Sequence, residues 1–180
     1  MSILECKGLS KRFGAVTALD GISFTIEPGR IVGLLGPNGS GKTTLIKLAN
    51  GLLVPTAGEL WINGRAPGKE SHAMVSYLPE RTSLPLWMTV KQLQDFYEDF
   101  YADFQRERSE EMLDRLEISA KQRMKHMSKG TREKVQLILA MSRQAKLYLL
   151  DEPIGGVDPA ARDYILDTII RNYNPEASVI

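Results

Sequence analysis

The feature that most constrains the fold of this 180-residue chain is the glycine-rich stretch Gly36-Pro37-Asn38-Gly39-Ser40-Gly41-Lys42-Thr43-Thr44, here called the phosphate loop. It matches the pattern Gly-x-x-x-x-Gly-Lys-Ser/Thr. The apolar run before it, 31–35, predicts a buried strand, and residues 44–49 predict the start of a helix. Glycines let successive N–H groups surround an anion, and the helix N-terminus adds positive field. The stretch therefore predicts a nucleoside triphosphate site, with Lys42 on the terminal phosphates and the Thr43 hydroxyl on Mg²⁺.

Length and composition predict one globular domain with an ordinary core. Apolar residues make up 43% of the chain and charged residues 25%, and a net charge of +1 gives no reason to expect a nucleic acid partner. Cys6 is the single cysteine, which excludes an internal disulfide and favours a reducing cytosol. No apolar run approaches the roughly 18 residues that cross a bilayer. We therefore expect any membrane association to depend on a partner.

The first third of the chain predicts a small antiparallel sheet. Residues 3–10 and 22–26 have the pattern of short strands, and 11–14 suggest a basic turn between them. A third strand, 59–62, ends in Asn63-Gly64, a strong signal for a tight hairpin turn. We expect this sheet to lie beside a mainly parallel sheet that carries the phosphate loop.

The middle of the chain predicts helices. After a strand at 73–78, Thr89 and Gln92 form a capping box. Apolar and aromatic residues then recur at helical spacing; they are Val90, Leu93, Tyr97, Phe100, Tyr101 and Phe104. This stripe is either a docking groove or the core face of an amphipathic helix, and we favour the second interpretation. A second helix is expected over 109–116, and residues 81–128 are interpreted as an inserted helical subdomain.

A second motif follows a predicted helix at 131–145. The apolar run 146–150 predicts a buried strand that ends at Asp151, the form of a Walker B element. The Asp151 carboxylate holds Mg²⁺ in such a site, directly or through water. Glu152 supplies a carboxylate that orients and polarises the attacking water. A glycine-rich turn and a last helix at about 159–173 are expected to follow.

Between these motifs lies Met127-Ser128-Lys129-Gly130-Thr131, where the chain resembles the ATP-binding cassette (ABC) family. The family signature is Leu-Ser-Gly-Gly-Gln or a close variant, so Ser128 and Gly130 match and the other three residues differ. The Ser128 hydroxyl and the start of the helix after it predict a second phosphate site. The resemblance implies that this site acts in trans, on ATP held by the phosphate loop of another subunit.

The same resemblance assigns three further residues. Phe13 occupies the position of an aromatic residue that stacks on adenine, although a core phenylalanine is the alternative. Asp158 matches a turn that touches the other subunit's nucleotide. Glu80 stands where the family has a glutamine that links Mg²⁺ and the attacking water to the helical subdomain. Because an ionised Glu only accepts hydrogen bonds, it is expected to ligate Mg²⁺ more strongly while adding negative charge near the γ-phosphate.

By resemblance the fold is α/β, a P-loop NTPase core with a mainly parallel sheet, an antiparallel β-subdomain and an inserted helical subdomain. Residues 1–180 form one ABC ATPase domain, in which about 1–80 and 129–180 make the catalytic core. The implied function is ATP binding and hydrolysis for an ABC transporter. Two copies, or two related subunits, pair head to tail on ATP and Mg²⁺ and drive a separate integral membrane subunit from the cytoplasmic face.

Two alternatives remain open, a soluble ABC ATPase and a regulatory ATP-binding module. A GTPase is disfavoured because the chain lacks a guanine-reading Asn-Lys-x-Asp element. The family also has a strand ending in a switch histidine, and residues 176–180 resemble the start of that strand. We therefore expect a C-terminally truncated form whose hydrolysis is weak or absent.

Overall fold

The computed structural model describes residues 1–153, 163, 166, 167, 169, 170 and 176–180. The turn and last helix predicted at 155–173 lie largely outside these residues, as does Asp158. The chain divides into two compact units. The first contains 1–77, 145–151 and 174–180, and the second contains 78–144 and 152–173.

The first unit contains the predicted antiparallel sheet. Its strands are β1 (Leu4–Phe13), β2 (Val16–Ile26) and β3 (Ala57–Ile62), in the order β2-β1-β3. Both hairpin strands are longer than predicted, and the turn expected at 11–14 is wrong. Residues 11–13 pair with β2, and the chain reverses at Gly14, whose φ is 57°.

The Asn63-Gly64 turn has the geometry that its sequence predicts. Both residues have positive φ, 48° and 75°, and Ile62 and Arg65 exchange backbone hydrogen bonds across the turn. Glycine and asparagine tolerate this left-handed region better than other residues.

The parallel part of the first unit is built on β4 (Val75–Leu78), β5 (Leu147–Leu150) and β6 (Ser178–Val179), in the order β4-β5-β6. β5 is buried throughout and pairs with β6 in parallel. The predicted α/β fold is confirmed. α1 (Lys42–Ala49) packs its apolar residues into the core of this unit, and a single-turn helix, α2, covers Lys69–His72.

The buried strand predicted at 31–35 is wrong. Ile31 makes one parallel bridge to Val179, and Leu35 is 92% exposed. Val32 and Leu34 do pack against the core, so alternate residues of this segment face inward. Among the described residues the segment pairs on one side only, which makes it a half-buried edge instead of a central strand.

The second unit is helical. Its elements are α3 (Val90–Phe100), α4 (Arg106–Arg115), a 3₁₀ turn (Met124–His126) and α5 (Lys129–Met141). The capping box is confirmed, because Thr89 accepts from the Gln92 N–H at 3.2 Å and its own N–H donates to Gln92 Oε1 at 2.9 Å.

The aromatic stripe of α3 is only partly buried. Val90 and Leu93 are buried as predicted, whereas Phe100 is 68% exposed and stacks on Phe96 at 4.4 Å between ring centroids. The polar Gln94 is buried beside Leu93 in the same helix. Within the described residues, no helix is both long and apolar enough to cross a membrane.

Candidate functional site

The phosphate loop needs its glycines. Gly39 and Gly41 have φ of 83° and 93°, a region that other residues rarely adopt. A Cβ atom on Gly41 would lie 2.4 Å from the Ala18 carbonyl oxygen, and one on Gly36 would lie 2.6 Å from Ser40 Oγ. The loop therefore follows a backbone path that larger residues would block.

The start of α1 has its N–H groups available. Gly41 is the N-cap residue, and no side chain among the described residues caps the helix. The first N–H groups of a helix have no partner within the helix, and the helix dipole places partial positive charge there. This end of α1 is consequently suited to an anion such as a phosphate group.

Lys42 closes the loop. Its ammonium group donates to the carbonyl oxygens of Gly36 at 2.8 Å and Pro37 at 3.0 Å. These bonds hold the positive charge over the first residues of the loop, where a bound phosphate chain would meet it.

Thr43 and Asp151 form a polar pair that suits a magnesium ion. The Thr43 hydroxyl donates to Asp151 Oδ1 at 2.9 Å, and Asp151 is 2% exposed at the end of β5. Mg²⁺ prefers hydroxyl and carboxylate oxygens of this kind. A buried carboxylate beside the phosphate loop therefore fits the ion that accompanies a nucleoside triphosphate.

In the second unit, Glu80 and Glu152 line the same polar cavity of about 580 Å³. Three cationic side chains also line it, Arg81, Lys129 and Arg132. Glu152 has a φ of 51°, and such a left-handed conformation costs roughly 1 kcal/mol or more outside glycine. Strained residues of this kind concentrate at functional sites.

Ser128 caps α5. Its Oγ accepts from the Thr131 N–H at 3.1 Å and lies 2.8 Å from Thr131 Oγ1. Arg132 fixes the residue before the cap, donating to the Met127 carbonyl from Nε at 3.1 Å and Nη2 at 3.0 Å. Gly130 lies in the first turn, where a Cβ atom would meet nothing within 4 Å.

Phe13 ends β1 with its ring 48% exposed and Lys11 Nζ 5.1 Å from the ring centroid. An exposed ring is available for stacking, unlike the core phenylalanine considered as the alternative.

The structure brings the predicted residues together in two groups. The phosphate loop and Asp151 meet in the first unit, and Glu80 and Glu152 share a cavity in the second. Gln136, which has no role in the predictions from sequence, is a polar residue buried in α5 and lines a smaller cavity with Glu80 and Glu152. A glutamine inside the apolar run 135–141 was the signal available in the sequence.

Known proteins resemble this chain in sequence and in fold. The family model described as "ABC transporter" matches residues 19–155. Among curated proteins, the chain is 35% identical over 175 residues to the Nod factor export ATP-binding protein I of Ralstonia nicotianae, covering 93% of the chain and 54% of that protein. It is 32% identical over 189 residues to the ABC-type transporter ATP-binding protein EcsA of Bacillus subtilis, covering 100% of the chain and 76% of the relative.

A third relative, the linearmycin resistance ATP-binding protein LnrL of Bacillus subtilis, is 29% identical over 93% of the chain and 56% of its own length. The chain thus spans a little over half of several curated relatives. Among solved structures, an ABC transporter ATP-binding protein from Pyrococcus furiosus superposes with a TM-score of 0.83 at 28% identity, covering 98% of this chain and 89% of the other. An ATP-binding subunit of an ABC transporter gives a TM-score of 0.85 at 30% identity, covering 99% and 78%. The chain belongs to the ABC transporter family of ATP-binding proteins.

Proposed function

We propose that this chain binds and hydrolyses ATP as the nucleotide-binding subunit of an ABC transporter, and that ATP drives it into a head-to-tail dimer. The observation that carries this proposal is the pairing of Thr43 with buried Asp151 beside the uncapped start of α1. This arrangement offers magnesium ligands, N–H donors and the Lys42 charge within one unit. The family membership supports the same nucleotide.

Within the phosphate loop, the backbone of 36–41 and the N–H groups of Lys42, Thr43 and Thr44 surround the phosphates. Lys42 neutralises charge on the terminal phosphates, and the ring of Phe13 stacks on adenine. Thr43 and Asp151 hold Mg²⁺, with Glu80 as a further ligand by resemblance. The ion supplies charge neutralisation for the transferring phosphoryl group.

Glu152 is the group that orients the attacking water. Its side chain is solvent-exposed and follows directly after the magnesium carboxylate in sequence. A carboxylate accepts a hydrogen bond from water and so raises the electron density on the water oxygen. Hydrolysis then weakens the dimer, because the closed state binds ATP better than its products.

Ser128, Gly130 and Asp158 complete the site of the opposite subunit. Support for this trans role comes from α5, whose N-terminus presents N–H groups and a dipole suited to phosphate. Lys129 adds a charge to this helix start that the usual glycine of the signature lacks. It forms an ion pair with Glu133 at 3.7 Å.

We also propose that a separate integral membrane subunit holds this chain at the cytoplasmic face of the membrane. The exposed aromatic side chains of Trp87, Phe96 and Phe100 in the second unit support a protein partner. Large exposed aromatic residues are enriched at protein interfaces.

The test is ATP-dependent dimerisation of Glu152→Gln, which keeps the shape of the side chain but removes the charge that activates water. We expect this variant to be monomeric without nucleotide and dimeric with Mg²⁺ and ATP in light scattering. A variant that binds ATP and stays monomeric would contradict the head-to-tail dimer.

A regulatory ATP-binding module is the second candidate, because Glu80 replaces the glutamine of the family. ATP turnover distinguishes the two candidates, because a regulatory module would bind ATP without hydrolysing it, and Glu80→Gln then tests the role of Glu80. If the chain is an ATPase, this change preserves ATP affinity and shifts the Mg²⁺ dependence of hydrolysis. Identical magnesium titrations for both proteins would remove Glu80 from the metal site.

A further inference from the structure

Gln136 is buried in α5 and reaches the segment that carries Glu80. It is 4% exposed, and its Nε2 donates to the Pro79 carbonyl oxygen at 3.4 Å. A carbonyl oxygen only accepts, so the nitrogen of the Gln136 amide must face Pro79. The remaining atom, Oε1, is buried and has no partner among the described residues.

The hydrogen bond from Gln136 holds a segment that has few other ties. Residues 79–84, here called the Glu80 segment, lie between β4 and α3 and belong to no helix or strand. In the part of the chain that the structure describes, no other hydrogen bond or ion pair is made by these six residues. Loss of the Gln136 amide therefore removes a principal restraint on Glu80.

A cavity of about 20 Å³ lies next to this contact. Its lining includes Gln136, Glu80 and Glu152. One water molecule needs roughly 10–15 Å³ and two to four polar partners. A water in this cavity would donate to the buried Gln136 Oε1 and satisfy an acceptor that is otherwise costly to bury.

We propose that Gln136 is a positioning residue. Its amide nitrogen holds the Glu80 segment against α5, and its amide oxygen binds one water that faces the Glu80 and Glu152 carboxylates. Ser128, the cap of α5, lies eight residues before Gln136, about 12 Å along a helix. Because a helix is rigid over this length, a displacement of α5 at Ser128 also moves Gln136 and, through it, the Glu80 segment. The effect on hydrolysis rests on the proposed function. The restraint of the Glu80 segment by Gln136 does not depend on that function.

Gln94 provides a matched control. It is 1% exposed in α3, its Nε2 donates to Ser109 Oγ at 3.0 Å, and its Oε1 has no partner among the described residues. Gln94→Leu and Gln136→Leu each remove one buried amide hydrogen bond and one buried acceptor. We expect similar shifts in the thermal midpoint, so stability does not separate the two variants.

Backbone N–H order parameters of residues 80–84 separate them. We expect these order parameters to fall by about 0.2 in Gln136→Leu, toward the range of flexible backbone, and to stay unchanged in Gln94→Leu. Gln136→Glu adds a pH test, because a protonated carboxyl group can donate to Pro79 and an ionised one cannot. The order parameters of residues 80–84 should fall as that carboxyl ionises. Equal order parameters in the two leucine variants would overturn the proposal.

Single-turnover hydrolysis then tests the catalytic consequence. Gln136→Leu should lower the rate about fivefold at saturating ATP and leave the Kd for ATP unchanged, since the phosphate loop is untouched. An equal change in Kd would contradict a positioning role. If the unmodified chain fails to bind ATP, the proposed function is wrong. If Gln136→Leu still increases the mobility of the Glu80 segment in that case, the restraint by Gln136 is nevertheless supported.

Discussion

The starts of α1 and α5 differ in how their first N–H groups are bonded. α1 begins at Gly41 without a side-chain cap, whereas the Ser128 hydroxyl already caps α5 by accepting from the Thr131 N–H. The N–H groups of α1 are therefore available to phosphate at once. At α5, a phosphate group must share or replace an existing hydrogen bond.

This difference predicts that the two proposed phosphate sites are unequal. An uncapped helix start with a lysine above it binds an anion by itself. A capped start binds well only when another surface presents the phosphate in the correct position. We infer that the phosphate loop binds ATP in the monomer and that Ser128 contributes only in the dimer.

Lys42→Ala should have the largest effect of these variants, on the affinity of the phosphate loop for ATP. Loss of charge-assisted hydrogen bonds to the terminal phosphates is expected to weaken ATP binding about 100-fold. Fluorescence titration with an ATP analogue measures the change. Lys47→Ala, in the last turn of the same helix, is the control, and an equal loss there would show a general charge effect.

Gly41→Ala should have the next largest effect. The added Cβ combines a strained φ of 93° with a clash against the Ala18 carbonyl, for an expected loss of about 2 kcal/mol in the free energy of unfolding. Urea denaturation measures it. Gly39→Ala has a similar φ but open space around the Cβ atom, so it should cost about half as much. Equal losses would mean that the clash contributes nothing.

Ser128→Ala removes the cap of α5. We expect the free energy of unfolding to fall by about 1 kcal/mol while the monomer keeps its affinity for ATP. Thr89→Ala removes the cap of α3 and should cost a similar amount without affecting dimerisation. Weaker ATP binding by the Ser128→Ala monomer would show that α5 acts in cis.

Lys129→Ala should have the smallest effect on the folded monomer. The Lys129 side chain is 85% exposed, so solvent screens its ion pair with Glu133 and the free energy of unfolding should change by no more than about 0.5 kcal/mol. Its effect on ATP-dependent dimerisation should exceed that of Lys134→Ala, because Lys129 lies at the N-terminal end of α5, where the trans site is proposed. Equal effects would remove Lys129 from the trans site.

Local chemistry made the phosphate loop and the helix caps predictable. Glycines that need positive φ, a lysine beside a helix start and the Thr89–Gln92 box act over a few residues, so the sequence alone specifies them. The Asn63-Gly64 turn belongs to the same class. The role of each site residue stays a prediction until the variants are measured.

Features that depend on distant partners were harder to predict. Residues 31–35 are apolar enough for a central strand, but the pairing partner is Val179, far along the chain, and the result is an edge. Phe100 fits the periodicity of α3 yet is exposed, whereas Gln94 is buried in the same helix and donates a hydrogen bond to Ser109 of α4. Gln136 was overlooked because its partner, a backbone carbonyl, has no signature in the sequence.

The central claim is that the phosphate loop of one subunit and Ser128 of another form one site. Mixing Lys42→Ala with Ser128→Ala tests it directly, because a head-to-tail dimer of the two variants contains one intact site and one doubly altered site. With Glu152→Gln in both chains and Mg²⁺-ATP present, light scattering should show dimers in the mixture and few in either variant alone. If the mixture dimerises no better than its separate components, the two groups do not meet across a subunit interface and the account is wrong.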